Sequence, residues 1–394
     1  MRIKSYLSTM IASSFMILLV ACQPQLLPTE SSGASPAPLE QSLPGTVVAT
    51  GLNGPQDVYV ADDGSIWVVD SGMGGDMQFT AADPASGGTR VATFGMSAQL
   101  VQVADGTQEI VTMLPSAMVG EGRQAETAGG GRIAVMDGEV YVTVGEWQDS
   151  FSSERPELSG TVVKLVDGSP TLVADTYALE ASDNPGGFGL HSHPYGLVSG
   201  PDGMLYIADA GANALLRVNP ADGVVETVAA FAGVPGMPFP NGGRNGAMES
   251  DPVPTGLVVA DDGSIYVTLL PGFPFIPGSS KVVQVSPDGT VSDYATGLTT
   301  MTDLTQGPDG AMYGVQFAIF GEQGPQFGSG AIVRIQEGAA SEIVLGGLPF
   351  PTAIDFDMDG NAYITINGIG APGSGQAIKV DGLTDMSGQP MAMR

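Results

Sequence analysis

Two histidines and a scatter of aspartates are the side chains best equipped for chemistry in these 394 residues. His191 and His193, in GLHSHPYG, are the only histidines, and an i, i+2 pair of imidazoles has the types to ligate a divalent cation or to act as a base. The same two rings could instead hydrogen-bond the backbone of the segment that carries them. Asp70 and Asp209 close two strongly β-prone runs (SIWVVD and MLYIAD), and Asp57 and Asp303 open two others. Carboxylates so placed either hold a cation such as calcium or zinc, or cap backbone N–H groups. Glu146 and Trp147 follow a further strand; the indole could stack on a sugar or pack within its loop. Asp355, Asp357 and Asp359 before Gly360 match the first half of a calcium loop, but the twelfth position is Ile366 where a carboxylate is required, so turn chemistry is the alternative. There is no G-x-S-x-G, H-E-x-x-H, P-loop or C-x-x-C, so nothing signals covalent or phosphate chemistry, and no cofactor is implied beyond that candidate cation.

The elements that must position these groups form a repeat. Its clearest copy, HPYGLVSGPDGMLYIADAGANALLRVNPADG, reads as three strands joined by an Asp-Gly corner, a small-residue loop and a second Asp-Gly corner. Aligned on the first turn glycine, the unit recurs at Gly64, Gly138, Gly203, Gly263, Gly310 and Gly360, 47 to 74 residues apart. The shorter spacings match the ~40–50-residue period of propeller blades and the longer ones imply insertions. Further runs (VVETVAAF, TVSDYATGL, SEIVLGGL) supply outermost strands. The last copy lacks one, and GTVVATGL, near the start of the fold, matches TVSDYATGL. The expectation is an all-β, six-bladed β-propeller of four-stranded antiparallel blades, closed by the N-terminal strand, with residues 45–382 as one domain and 383–394 as a tail. The two least repeat-like stretches, 72–97 and 115–131, are expected to be loops with at most one short strand.

Strand parity then assigns faces. The Asp-Gly corners between first and second, and third and fourth, strands share one plain face. The long connections at 72–97, 145–160, 183–194, 234–252, 271–280, 318–330 and 367–375 share the other, where ligands are expected. Three of the connecting segments carry Phe-Pro pairs (GMPFPNGG, PGFPFIPG, GLPFPTA) that would make either an apolar rim or inter-blade packing.

Residues 1–21 have a basic start and a short apolar run, as in an export signal, and the end of this segment, Leu-Val-Ala-Cys22, resembles a bacterial lipobox. That resemblance implies that Cys22, the only cysteine, is lipidated and becomes the mature N-terminus. Residues 22–44 are rich in Pro, Ser and Gln and read as a tether able to reach about 70 Å when extended. The expected location is outside the cytoplasm, membrane-anchored at the cell surface or in the periplasm. A net charge of −29 argues against nucleic acid as a partner.

The run HPYGLVSGPDGMLYIADAGANALLRV, the stretch PTGLVVADDGSIYVTLLPGFPFIPGSSKVVQV and GLPFPTAIDFDMDGNAYITING resemble the ScyD/ScyE family of six-bladed propellers, over about residues 45–380. More distantly the chain is similar to NHL-repeat and gluconolactonase/regucalcin-like propellers. The first resemblance implies an exported propeller without an established reaction; the second implies a lactonase with a channel metal. The two function classes expected are a non-catalytic binding or scaffold protein for a small molecule, glycan or protein, and a metal-dependent lactonase or hydrolase at the channel mouth.

Overall fold

The computed structural model describes residues 43–83, 88–120, 125–338 and 341–391. The expected export segment, Cys22 and nearly all of the tether lie outside them. Six antiparallel sheets follow one another along the chain, each entered through its innermost strand. Blade two (Gly130–Met136, Glu139–Val144, Thr161–Val166, Ser169–Asp175), blade three (Pro194–Ser199, Leu205–Asp209, Ala214–Val218, Val225–Ala230) and blade four (Pro254–Val259, Ile265–Leu269, Ser280–Val285, Val291–Leu298) are plain meanders. The innermost strands touch in cyclic order, and Ile354–Phe356 of blade six returns to Pro55–Val60 of blade one. The protein is a six-bladed β-propeller.

Closure is by strand exchange. Blade six consists of Ile354–Phe356, Ala362–Ile366, Gly375–Val380 and, outermost, Thr46–Leu52 from the start of the fold, with Val47 opposite Ile378. This strand begins beside Lys379 at the turn face and ends beside Gly375 at the loop face. Leu52 is wholly buried at its end.

The corner chemistry explains why the meanders form. All six first-corner glycines have φ between 75° and 82°, a region that costs other residues strain. In four copies the preceding Asp carboxylate accepts the N–H two residues on, as Asp63 does from Ser65 at 2.9 Å and Asp262 from Ser264 at 2.8 Å. Asp357 does the same work in blade six, accepting from the Asn361 backbone and side-chain amides, while Asp355 reaches blade one and Asp359 is exposed. The three carboxylates of the calcium-like run therefore do not converge.

Blade one departs from expectation. It contains Pro55–Val60 and Ile66–Asp70, but its third and fourth strands, Gly88–Ala104 and Thr107–Val119, extend well beyond the ring, and Met77–Asp83 pairs with the extension. The stretch 72–97 is thus a β-arm rather than a loop, and most of 115–131 is strand as well. The reason is burial. Phe79, Ala81, Ala92 and Val119 turn one face of the arm onto Trp147 and Phe151 of blade two, with the Phe79 and Phe151 rings 5.0 Å apart. A short helix, Thr176–Asp183, capped by Asp175 through the Ala178 N–H, opens the crossing from blade two to blade three.

Blade five (Met301–Gln306, Met312–Gln316, Gly330–Ile335, Glu342–Leu348) gains a fifth strand from the tail, Gln389–Pro390, and Arg334 donates to the Thr384 and Met386 carbonyls to hold it.

Candidate functional site

Innermost strands have an unpaired edge facing the axis, and their amides need acceptors. Three of the axial carboxylates supply them between neighbouring blades. Asp57 accepts from Ile133 N at 2.7 Å, Asp303 from Ile354 N at 3.0 Å, and Asp355 from Val60 N at 2.7 Å. The cation that Asp57 and Asp303 face is Arg132. From blade two its guanidinium crosses the axis, lies 3.4 Å from Asp303 and 3.8 Å from Asp57, and donates to the Thr302 and Thr352 carbonyls at 2.7 and 3.0 Å. The Tyr195 ring lies 4.7 Å from its carbon, and the Tyr195 hydroxyl donates to Gln56 at 3.1 Å. Burial pushes Asp57 up to about 8 and Asp355 up to about 7, with Arg132 opposing the rise at Asp57.

Arg132 escaped the sequence reading, although a signal was present. The shorter corner of blade two puts Ile133 in the core place of Val58, Leu197, Leu257, Leu304 and Ile354. In strand register Arg132 therefore occupies the position of Asp57, Gly196, Gly256, Asp303 and Ala353, so a cation stands where the other five copies have an aspartate or a small residue. Below it, toward the turn face, the axis holds a cavity of about 200 Å³ bounded by all six innermost strands.

Asp70 and Asp209 occupy equivalent places and do equivalent work. Asp70 accepts from Asn53 N and Gln99 N at 2.9 and 2.7 Å, and burial raises its carboxyl to about 6. Asp209 accepts from His193 N at 2.7 Å, from Gly211 N and Ala212 N, and from the Ser192 hydroxyl at 2.7 Å. Each carboxylate ties an incoming segment to the loop that follows its own strand.

The histidines meet a carboxylate from another blade. Glu146 Oε2 lies 3.2 Å from His191 Nε2 and 3.7 Å from His193 Nδ1, with the Glu146 and His191 side chains buried and His193 reaching solvent. Burial presses the His191 imidazole down, but its hydrogen bond to Glu146 and that charge hold it above its ordinary value. For His193 burial wins over Glu146 and the imidazole titrates low, leaving a neutral ring at the channel mouth, edge-on to Tyr195. Glu180, on the helix, accepts from His191 N at 3.3 Å, and burial lifts it to about 7. A neutral imidazole backed by a buried carboxylate can accept a proton. A shared metal does not fit: among the described residues no three His, Cys, Asp or Glu side chains are placed to hold one ion. Of the six nominated side chains, Asp57 and Asp303 meet at Arg132, His191 and His193 meet at Glu146, and Asp70 and Asp209 stay apart as backbone caps. Trp147 is buried between Phe79 and Phe151, so its indole packs a loop.

Among the described residues, the longest chain of ring contacts lies on the loop face. Ring contacts run from Phe239 through Phe273, Phe275, Phe320, Phe317 and Phe350 to Phe327, spanning the loops of blades three to six, with centroid separations of 4.5 to 6.4 Å. Its two ends are exposed, Phe239 by 41% and Phe327 by 68%. Met73, Met96, Met248 and Ile369 add exposed apolar side chains from the same set of connections.

No family model matches the chain, and no curated protein matches it. Solved structures similar to it include virginiamycin B lyase from Staphylococcus aureus, at 14% identity over 89% of this chain and 88% of that one, with a TM-score of 0.44. A putative oxidoreductase (glucose dehydrogenase) from Thermus thermophilus shares 16% identity over 84% and 98%, with a TM-score of 0.47. The PQQ-bound aldose sugar dehydrogenase from Streptomyces coelicolor shares 16% over 84% and 95%, with a TM-score of 0.48. The assignment of this chain as a six-bladed propeller rests on its own six sheets and the exchange of its first strand.

Proposed function

We propose that the chain is an exported, lipid-anchored propeller of the ScyD/ScyE type that binds a protein partner through its long-loop face, without catalysis. One observation carries this reading: of the fifteen exposed large apolar side chains among the described residues, eight (Met73, Met77, Val91, Met96, Phe239, Met248, Phe327 and Ile369) lie in the long connections of one face, while Met358 stands at a corner of the other and the rest are on strands or corners toward the outside of the blades. Aromatic and methionine side chains so displayed suit a broad protein surface better than an enclosed small molecule. The anchor fits the same picture. The first strand starts at the turn face, so a tether from Cys22 would join the domain on the side opposite the loop face and leave that face unobstructed. No helix among the described residues is long and apolar enough to cross a membrane.

The test is site-specific photo-cross-linking in cells, with a reactive residue at position 327 or, as a control, at position 262 on the turn face. A defined adduct from 327 that is lost in Phe239→Ala, and none from 262, supports the reading; equal or no adducts refute it. Lipidation is checked separately by comparing membrane retention of the native chain and Cys22→Ser.

A second reading, a hydrolase at the channel mouth, has the His193–Glu146 contact in its favour. Lactone hydrolysis with and without chelator, lost in His193→Ala, would install it in place of the first.

A further inference from the structure

The soft, oxidisable groups of this domain are its methionines. Cys22, the only cysteine, precedes the described residues, so no thiol within them competes for an oxidant. Five of the described methionines are exposed, by 41 to 86%: Met73, Met77, Met96 and Met248 on the loop face and Met358 at a corner of the other. The arm of blade one shows why three of them are uncovered. Met77 lies opposite Phe94 and Phe79 opposite Ala92, so strand alternation puts Met77, Phe79, Ala92, Phe94 and Met96 on one side of the arm. Phe79 and Ala92 are buried against Trp147 and Phe151. Farther along, the same apolar side outruns blade two, leaving Phe94 half-buried and Met77 and Met96 exposed. Met73 is held at this end of the arm by its N–H, which donates to Ser97 Oγ at 2.8 Å. From the crossing between blades three and four comes Met248, its backbone pinned as the acceptor of Gly236 N and Met237 N at 3.1 and 3.3 Å and its side chain 48% exposed.

We propose that Met73, Met77, Met96 and Met248 are a modification site for hydrogen peroxide, and that their oxidation releases the protein partner from the loop face. This rests on the docking reading above and adds its regulation. The thioether sulfur bonds to one peroxide oxygen as the O–O bond breaks; sulfur gives up two electrons and becomes a sulfoxide, and the other oxygen takes the transferred proton and leaves as water. The oxidant is uncharged, so a net charge of −29 does not repel it as it would an anion. Its product is a polar acceptor. Pressed against a partner's apolar surface, a sulfoxide is buried without a donor, so contacts that the thioether favours become unfavourable.

The purified protein is first treated with limiting hydrogen peroxide, digested and read by mass spectrometry. The four methionines and Met358 should gain oxygen at least about tenfold faster than buried Met237 and Met301. Photo-cross-linking from position 327 in permeabilised cells then reads the partner. A peroxide pulse should cut the adduct at least about tenfold, and methionine sulfoxide reductases with a thiol reductant should restore it. The fall should persist in Met358→Leu. In a chain combining Met73→Leu, Met77→Leu, Met96→Leu and Met248→Leu it should be suppressed relative to that chain's own untreated level; if that level is too low to compare, restoration by the reductases decides. Equal oxidation of exposed and buried methionines, an adduct that survives with the four sites oxidised, a fall the reductases do not reverse, or one unchanged in the fourfold variant overturns the switch and leaves the docking reading standing. No adduct from 327 in untreated cells defeats the docking reading, and the switch with it.

Discussion

Arg132 of blade two and Asp303 of blade five meet across the propeller axis, 3.4 Å apart, so blades on opposite sides of the ring are joined through one guanidinium. The same group donates to carbonyls of blades five and six. Arg132→Met removes the positive member and leaves Asp57 and Asp303 buried without it. Breaking such a buried network from one side costs about 3–5 kcal/mol, and equilibrium urea unfolding at pH 8 should register a loss of that size. Adding Asp303→Asn should recover part of it.

Acidity should stabilise this protein. Asp57, Asp355, Glu180 and Asp70 have folded-state values raised to about 8, 7, 7 and 6, so the folded state binds protons that the unfolded state has released. Stability from these groups is fully present below their unfolded values near 4 and is lost as pH climbs through the folded ones. The urea midpoint should therefore rise as pH falls from 8 to 5, and Asp57→Asn should flatten that slope.

The closing seam can be tested by covalent trapping. Val47 and Ile378 are opposed across antiparallel strands, so Val47→Cys with Ile378→Cys, in a Cys22→Ser background, should form a disulfide under mild oxidation. A gel shift under non-reducing conditions after cleavage between the two positions reports it. Leu52→Ala, at the end of the same strand, should cost about 2–5 kcal/mol in urea unfolding.

The two histidines should separate in an NMR titration. His191, hydrogen-bonded to Glu146, should remain protonated to higher pH than His193. Glu146→Gln should lower both midpoints. Equal midpoints in the parent protein would contradict the geometry.

What the sequence discloses is whatever depends on near neighbours. Each Asp-Gly corner encodes its own turn, six corners fix the number of sheets, and the missing last strand points to the first. Arg132 cannot be read in the same way: its partners at Thr302, Asp303 and Thr352 become neighbours only after the ring has closed. Glu146 stands out in the sequence for its loop, but its meeting with His191 and His193 depends on how two consecutive blades pack. The arm of blade one reads as loop because glycines interrupt it and its buried face is made of small residues, Ala81 and Ala92, alternating with few large ones. The helix at Thr176–Asp183 is short, and only Thr176 and Glu180 are buried in it, so it leaves no apolar stripe.

The direction of the first strand has a mechanical consequence. A pull on the chain ahead of Thr46, directed away from the turn face, runs along the strand rather than across it, so the hydrogen bonds to Gly375–Val380 are sheared together instead of being unzipped singly. The seam that completes the ring is thereby oriented to resist a pull on the chain that precedes it.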